Sequence, residues 1–151
     1  MYQTVESFSN ELNHYLLSRL NYQERCQVSR KGTVSAYSET VDIYLRFPPN
    51  SDQWPTDTLV IAKIAFNGQR VGHGTSFLQF LVGLSSIYGY ANIGIEQTHQ
   101  GDGIQNFVRK HGFKALDNNR NWVLSVTELS LTLPQQEVAY LNVSSPANVM
   151  P

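Results

Sequence analysis

Gln69-Arg70-Val71-Gly72-His73-Gly74 is the stretch on which the reading of this chain turns. It has the pattern Gln-x-x-Gly-x-Gly. An apolar run, Thr58 to Phe66, precedes it and reads as a strand; a helical pattern opens near Thr75. Strand, glycine turn and helix start together make a place for an anionic phosphate. The first N–H groups of a helix have no partner within it, and the helix dipole favours negative charge at that end. Glycines there let the backbone come close to a ligand, because no Cβ intervenes.

Working outward, the strand Thr58–Phe66 is nearly continuous in apolar residues, as a central strand covered on both faces should be. After the turn, Phe77, Leu78, Leu81, Leu84 and Tyr88 fall on one helical face, and Gly89 is the expected left-handed cap. Ala91–Glu96 reads as a short strand. Gly103–His111 reads as a short helix with Ile104, Phe107 and Val108 as its apolar stripe. Upstream, Glu6–Leu20 is a helix with Ser7 or Ser9 as its cap, followed by strands over Gln27–Val34 and Val41–Phe47 joined by a hairpin connection that contains Lys31-Gly32 and Ser35–Glu39. Downstream, Phe113–Leu116 and Asn121–Leu129 read as strands joined by a turn at Asp117–Arg120. The expectation is a mixed α+β fold, with a sheet of six or seven strands in a single domain over residues 1–130. Residues 131–151 form a polar, proline-containing tail, loosely ordered or adding one strand.

Composition narrows the function. The chain has 151 residues, enough for one domain with a real core, and a formal net charge of −1. No strong positive field is present to attract nucleic acid or an anionic membrane. The single cysteine, Cys26, can form no internal disulfide and no zinc site alone. The four histidines lack metal-ligand spacing, so no metal is expected. The first ten residues lack the order of a signal peptide, and no apolar run approaches a membrane span; a cytoplasmic protein is the expectation. Residue 77 is Phe rather than Gly, so the dinucleotide-binding fingerprint fails, and no Gly-Lys-Ser/Thr sequence marks a nucleotide-triphosphate loop.

Two landmarks resemble the GNAT superfamily of N-acetyltransferases. Ile64-Ala65-Phe66 through Thr75 looks like that family's acyl-CoA signature, and Lys110-His111-Gly112-Phe113 looks like its Lys-x-Gly-Phe landmark, with a helix and a strand between them. The resemblance covers mainly Leu59 to Phe113. It implies a central mixed, mostly antiparallel sheet whose two central strands splay apart, flanked by helices. It implies acetyl-coenzyme A as co-substrate, with diphosphate against the N–H groups of Arg70 to Thr75 and the pantetheine arm along Ile64, Ala65 and Phe66. The expected binding residues are therefore Ile64, Ala65, Phe66, Gln69, Arg70, Val71, Gly72, His73, Gly74 and Thr75. The family often has a tyrosine, protonating the leaving thiolate, where this chain has Val108.

An amine acceptor must lose a proton as it attacks the thioester, so a base near the strand gap is expected. Glu96, at the end of its strand, is the first candidate, set against the plainer reading of a solvated carboxylate. His99, in the following loop, is the second, since imidazole titrates near neutrality. Tyr88 and Tyr90 are alternatives for the missing tyrosine, although Tyr88 falls on the apolar helix face. Cys26 reads as an inert thiol. The expected activity is direct acetyl transfer from acetyl-coenzyme A to an amine, carried by a small molecule or a protein; a homodimer is allowed. The alternative is a GNAT-like binding module that acts through protein contacts, which Val108 favours.

Overall fold

The computed structural model describes residues 3–47, 53–67, 72–96, 102–116 and 120–134. In chain order the elements are α1 (Val5–Leu20), β1 (Gln27–Val28), β2 (Thr33–Tyr37), β3 (Val41–Arg46), β4 (Thr58–Phe66), α2 (His73–Tyr88), β5 (Asn92–Glu96), α3 (Asp102–His111), β6 (Lys114–Ala115), β7 (Asn121–Ser125) and α4 (Val126–Thr132). The strands form one seven-stranded sheet in the order β1-β2-β3-β4-β5-β7-β6. Only β4 and β5 run parallel; every other neighbouring pair is antiparallel. The expected mixed α+β architecture with a mostly antiparallel sheet is what the chain adopts.

The parallel pair is joined through α2, as a parallel connection needs a long crossover. It is also short. β4 and β5 pair from Thr58↔Asn92 to Ile61↔Ile95, whereas β4 continues to Phe66 against β3. Tyr44 pairs with Lys63 and Leu45 with Ile61, so Ala62 is an extra residue in β4. Such a bulge bends its strand and ends regular pairing. It falls directly after the last β4–β5 pair. Beyond it, the β5 side of β4 has no strand partner among the described residues, and the two central strands part there.

One face of the sheet carries the core. Leu59, Ile61, Ile93, Ile95, Ile43 and Leu45 are fully or almost fully buried with Phe8, Leu12 and Leu16 of α1 and Phe77, Leu78 and Leu81 of α2. Aromatic contacts tie the two helices together: Tyr15 stacks on Phe80 at 4.4 Å, and Phe8 meets Tyr88 edge-on at 5.3 Å. Each buried side chain of this size removes roughly 1.5–3 kcal/mol of apolar surface cost, so this layer fixes where α2 begins.

Several local expectations need correction. The strand expected over Gln27–Val34 is broken by a turn at Ser29–Gly32, where Gly32 N–H donates to Ser29 O, and its second half continues through the expected Ser35–Glu39 loop as far as Tyr37. The cap of α1 is Thr4, whose hydroxyl accepts from Ser7 N–H; Ser7 and Ser9 lie inside the helix. The strand expected over Asn121–Leu129 ends at Ser125, where α4 starts. Glu128 N–H donates to Ser125 Oγ, which in turn donates to Glu128 Oε1, and this side-chain cap turns the chain into a helix despite its β-branched residues. The boundary drawn at residue 130 therefore falls inside α4, and residues 135–151 lie outside the described part.

Candidate functional site

Where β4 and β5 part, a cavity of about 360 Å³ opens. Ile64, Ala65 and Phe66 form one wall, Gly72, His73 and Gly74 a second, and Gly103, Ile104 and Phe107 of α3 a third. Six of the expected binding residues are thus brought together. Gln69, Arg70 and Val71 lie outside the described residues, as does His99. The α3 wall was not foreseen as part of a site: Ile104 and Phe107 stand three apart, and sequence cannot tell a stripe that faces core from one that lines a hollow.

The start of α2 lies in that wall. Its cap position is Gly72, at φ 90° and ψ 0°, in the left-handed region that other residues enter only at a cost of about 1–2 kcal/mol. Among the described residues no side chain caps the helix, and no acidic residue lies in its first turn. The first bond inside the helix runs from Ser76 N–H to Gly72 O at 2.9 Å, so the N–H groups of Gly74 and Thr75 stand ahead of the helical ladder. A Cβ on Gly74 would lie 2.6 Å from Phe107 Cε1, so its lack of a side chain lets α3 close against α2.

His73 is buried, with its ring 5.3 Å from that of Phe66. Its Nδ1 accepts from Arg19 Nε at 2.9 Å, which requires that nitrogen to be unprotonated. Thr75 Oγ1 is 3.2 Å from Nε2 of His111, which lies at the end of α3 and packs edge-on against Phe107 at 4.8 Å. Burial, aided by the Lys110 charge, holds the His111 imidazole below the ordinary histidine range.

Glu96 ends β5 at the strand gap, and its carboxylate is already engaged: Arg46 Nη1 donates to Oε2 at 2.7 Å. The Arg46 guanidinium also lies 5.7 Å from the Tyr44 ring centroid. Neither alternative tyrosine has its hydroxyl in the cavity. Tyr88 OH shares a hydrogen bond with Ser7 Oγ at 2.8 Å, and Tyr90, fully within the core, donates to Leu81 O. Burial raises both phenols above the ordinary tyrosine range. Val108 is completely buried in the core cluster. Burial pushes the Cys26 thiol up to about 11, which leaves it a poor nucleophile. Among the described residues no helix is long and apolar enough to cross a membrane.

No family model matches the chain, and a search of curated proteins gives no match. Solved structures do resemble it in chain path. A GNAT-family acetyltransferase from Staphylococcus aureus Mu50 has a TM-score of 0.49 at 12% identity, over 83% of this chain and 97% of that one. AtaTR bound with acetyl-coenzyme A has a TM-score of 0.49 at 14% identity, over 82% and 83%. The KacTA–DNA complex has a TM-score of 0.49 at 13% identity, over 86% of each chain. These likenesses lie in chain path alone, at low identity, and they bear no weight for chemistry.

Proposed function

We propose that the chain binds an acyl-coenzyme A in the cavity beside α2 and transfers its acetyl group to an amine. One observation carries the reading: a helix start and a strand edge, neither with a partner among the described residues, face the same hollow. The two features suit the two halves of such a ligand. Gly74 and Thr75 present N–H groups at the positive end of α2, where a diphosphate is favoured. The edge of β4 beyond Ile61 offers peptide groups to the peptide-like pantetheine arm, as a sheet edge does to an added strand. The apolar side chains of Ile64, Phe66, Ile104 and Phe107 supply the dry wall between them.

In this reading the acceptor nitrogen bonds to the thioester carbonyl carbon, the carbon–sulfur bond breaks, and the amine's proton is taken up nearby. Glu96 is the proposed acceptor of that proton. Arg46 fixes its Oε2, which orients Oε1 as the oxygen that receives the amine. Arg70, Gln69 and Val71 remain proposed phosphate neighbours through the turn, and His99 a proposed second base. Solvent protonates the leaving thiolate, since Val108 offers no hydroxyl and Tyr88 and Tyr90 are engaged elsewhere. That same shortage supports a second reading, a coenzyme A-binding module that works through protein contacts.

Gly103→Asp tests the site without endangering the fold. A Cβ at Gly103 meets nothing within 4 Å, and an added carboxylate suits the first turn of α3. Calorimetric titration of acetyl-coenzyme A should show at least a ten-fold loss of affinity, as expected for a carboxylate facing a bound anion. Equal binding by both proteins removes the cavity from the site. Free-thiol release with a panel of amines then separates the readings. Turnover that falls by about 10²–10⁴ in Glu96→Gln supports the transferase; tight binding without turnover on any amine supports the module.

A further inference from the structure

Arg19 is the last basic residue of α1, half-buried, and 54 residues away in sequence from its hydrogen-bond partner, His73. One hydrogen bond places its guanidinium at the first turn of α2: its Nε donates to His73 Nδ1 at 2.9 Å. Its charge is also felt at the Tyr15 phenol, whose hydroxyl is 2.7 Å from Ser76 Oγ. It belongs to no ion pair among the described residues. A cation held at the positive end of a helix is disfavoured by the dipole, so this arrangement lacks its counter-charge. The helix brings none of its own, because its first turn has no acid and no side-chain cap. Nor does His73, which accepts the arginine N–H as a neutral ring. The cavity wall that His73 and Gly74 form lies directly beside this charge.

We infer that Arg19 is a phosphate-recognising residue of the cavity, delivered by α1 and aimed by His73. The inference rests on the acyl-coenzyme A reading and adds to it a residue far from the glycine turn. Using Nε on His73 leaves both Nη groups for a phosphate oxygen pair, the geometry in which a guanidinium exceeds an ammonium. His73 is then a positioning residue: its neutral imidazole fixes the plane of the guanidinium without competing for the anion.

The test compares coenzyme A with pantetheine, which has the same arm and no phosphate, on the wild-type protein and Arg19→Gln. Arg30→Gln, in an exposed turn, is the control for general charge. The expected result is a loss of about ten-fold or more for coenzyme A in Arg19→Gln only, with pantetheine unchanged. A shallower salt dependence of coenzyme A binding in that variant is also expected. An equal loss on both ligands, or no loss on either, overturns the role of Arg19 while leaving the cavity as the site. If the wild-type protein binds neither ligand, the acyl-carrier reading falls and this inference falls with it. Should Arg19→Gln not fold, Arg19→Lys decides. It keeps the charge without the paired N–H groups, and should lose about three-fold on coenzyme A alone; unchanged coenzyme A affinity overturns the proposal.

Discussion

Three helices in this molecule start in two different ways. α1 and α4 close their own ends: Thr4 accepts from Ser7 N–H, Ser125 accepts from Glu128 N–H, and Glu6 or Glu128 lies in the first turn. α2 has Gly72 in a left-handed conformation, no capping side chain and no acid. Around it the chain adds positive charge, through Arg19, rather than removing it. The first two ends are finished within a few residues of sequence. The third is finished by no side chain among the described residues.

The sharpest way to break this contrast is to give α2 the first turn of α4. Thr75 occupies the position that Glu128 holds in α4, three residues after the cap. Thr75→Glu supplies the missing carboxylate and should lower coenzyme A affinity on the order of 100-fold, about 2.7 kcal/mol, since two like charges would meet at close range. Helix stability should change little or rise, by the few tenths to about 1 kcal/mol that an acid at this end is worth. Thr75→Val separates the charge from the lost hydroxyl and should bind nearly as the wild type does. Calorimetry and thermal melts on both variants give the two readouts. Unaltered affinity in Thr75→Glu would mean that the start of α2 faces no anion.

The converse changes are smaller and fall on stability. Thr4→Ala and Ser125→Ala should each cost about 1 kcal/mol in urea unfolding, the usual worth of a side-chain cap, and leave coenzyme A affinity where it was. Gly72→Ala should cost about 1–2 kcal/mol by another route, the strain of a Cβ at φ 90°. A cap variant that weakened ligand binding as much as stability would erase the distinction between the two kinds of helix start.

The same contrast explains what could be read in advance. The order of elements from β3 to α3 was legible because long apolar runs and helical stripes record their own period: Thr58–Phe66 and the Phe77–Tyr88 face are the strongest examples. The glycine start of α2 was legible from Gly72 and Gly74, but not the packing of Phe107 where a Gly74 Cβ would lie. α4 was missed because Val126 and Thr127 favour a strand, and the side-chain cap that Ser125 gives Glu128 N–H outweighed them. Arg19 and Arg46 could not have been found. Each acts through a partner 50 or more residues away, and no local pattern marks an arginine that tertiary packing will bring to His73 or Glu96. For Glu96 this changes the chemistry as well, since sequence alone presents an open carboxylate and the fold presents an ion pair.

The smallest effect expected is a dependence of stability on pH, and it bears on how Thr75 is held. Burial lowers the pKa of His111 from its ordinary value of 6.5, so the native chain binds fewer protons there than the unfolded chain does. Above about pH 6.5 both states are neutral and the native packing keeps its full stability. As the pH falls through the lowered native value, the unfolded chain takes up the proton first and stability is lost. The window is distinct from that of Glu128, whose lowered pKa keeps its contribution intact above about 4.5 and loses it only below. His111→Gln keeps a polar partner for Thr75 Oγ1 and cannot titrate, so urea unfolding at pH 7.5 and 5.5 should differ less in the variant than in the wild type. An identical difference in both proteins would assign the acid loss to other groups. The Thr75–His111 bond would then have no part in the loss of stability at acid pH.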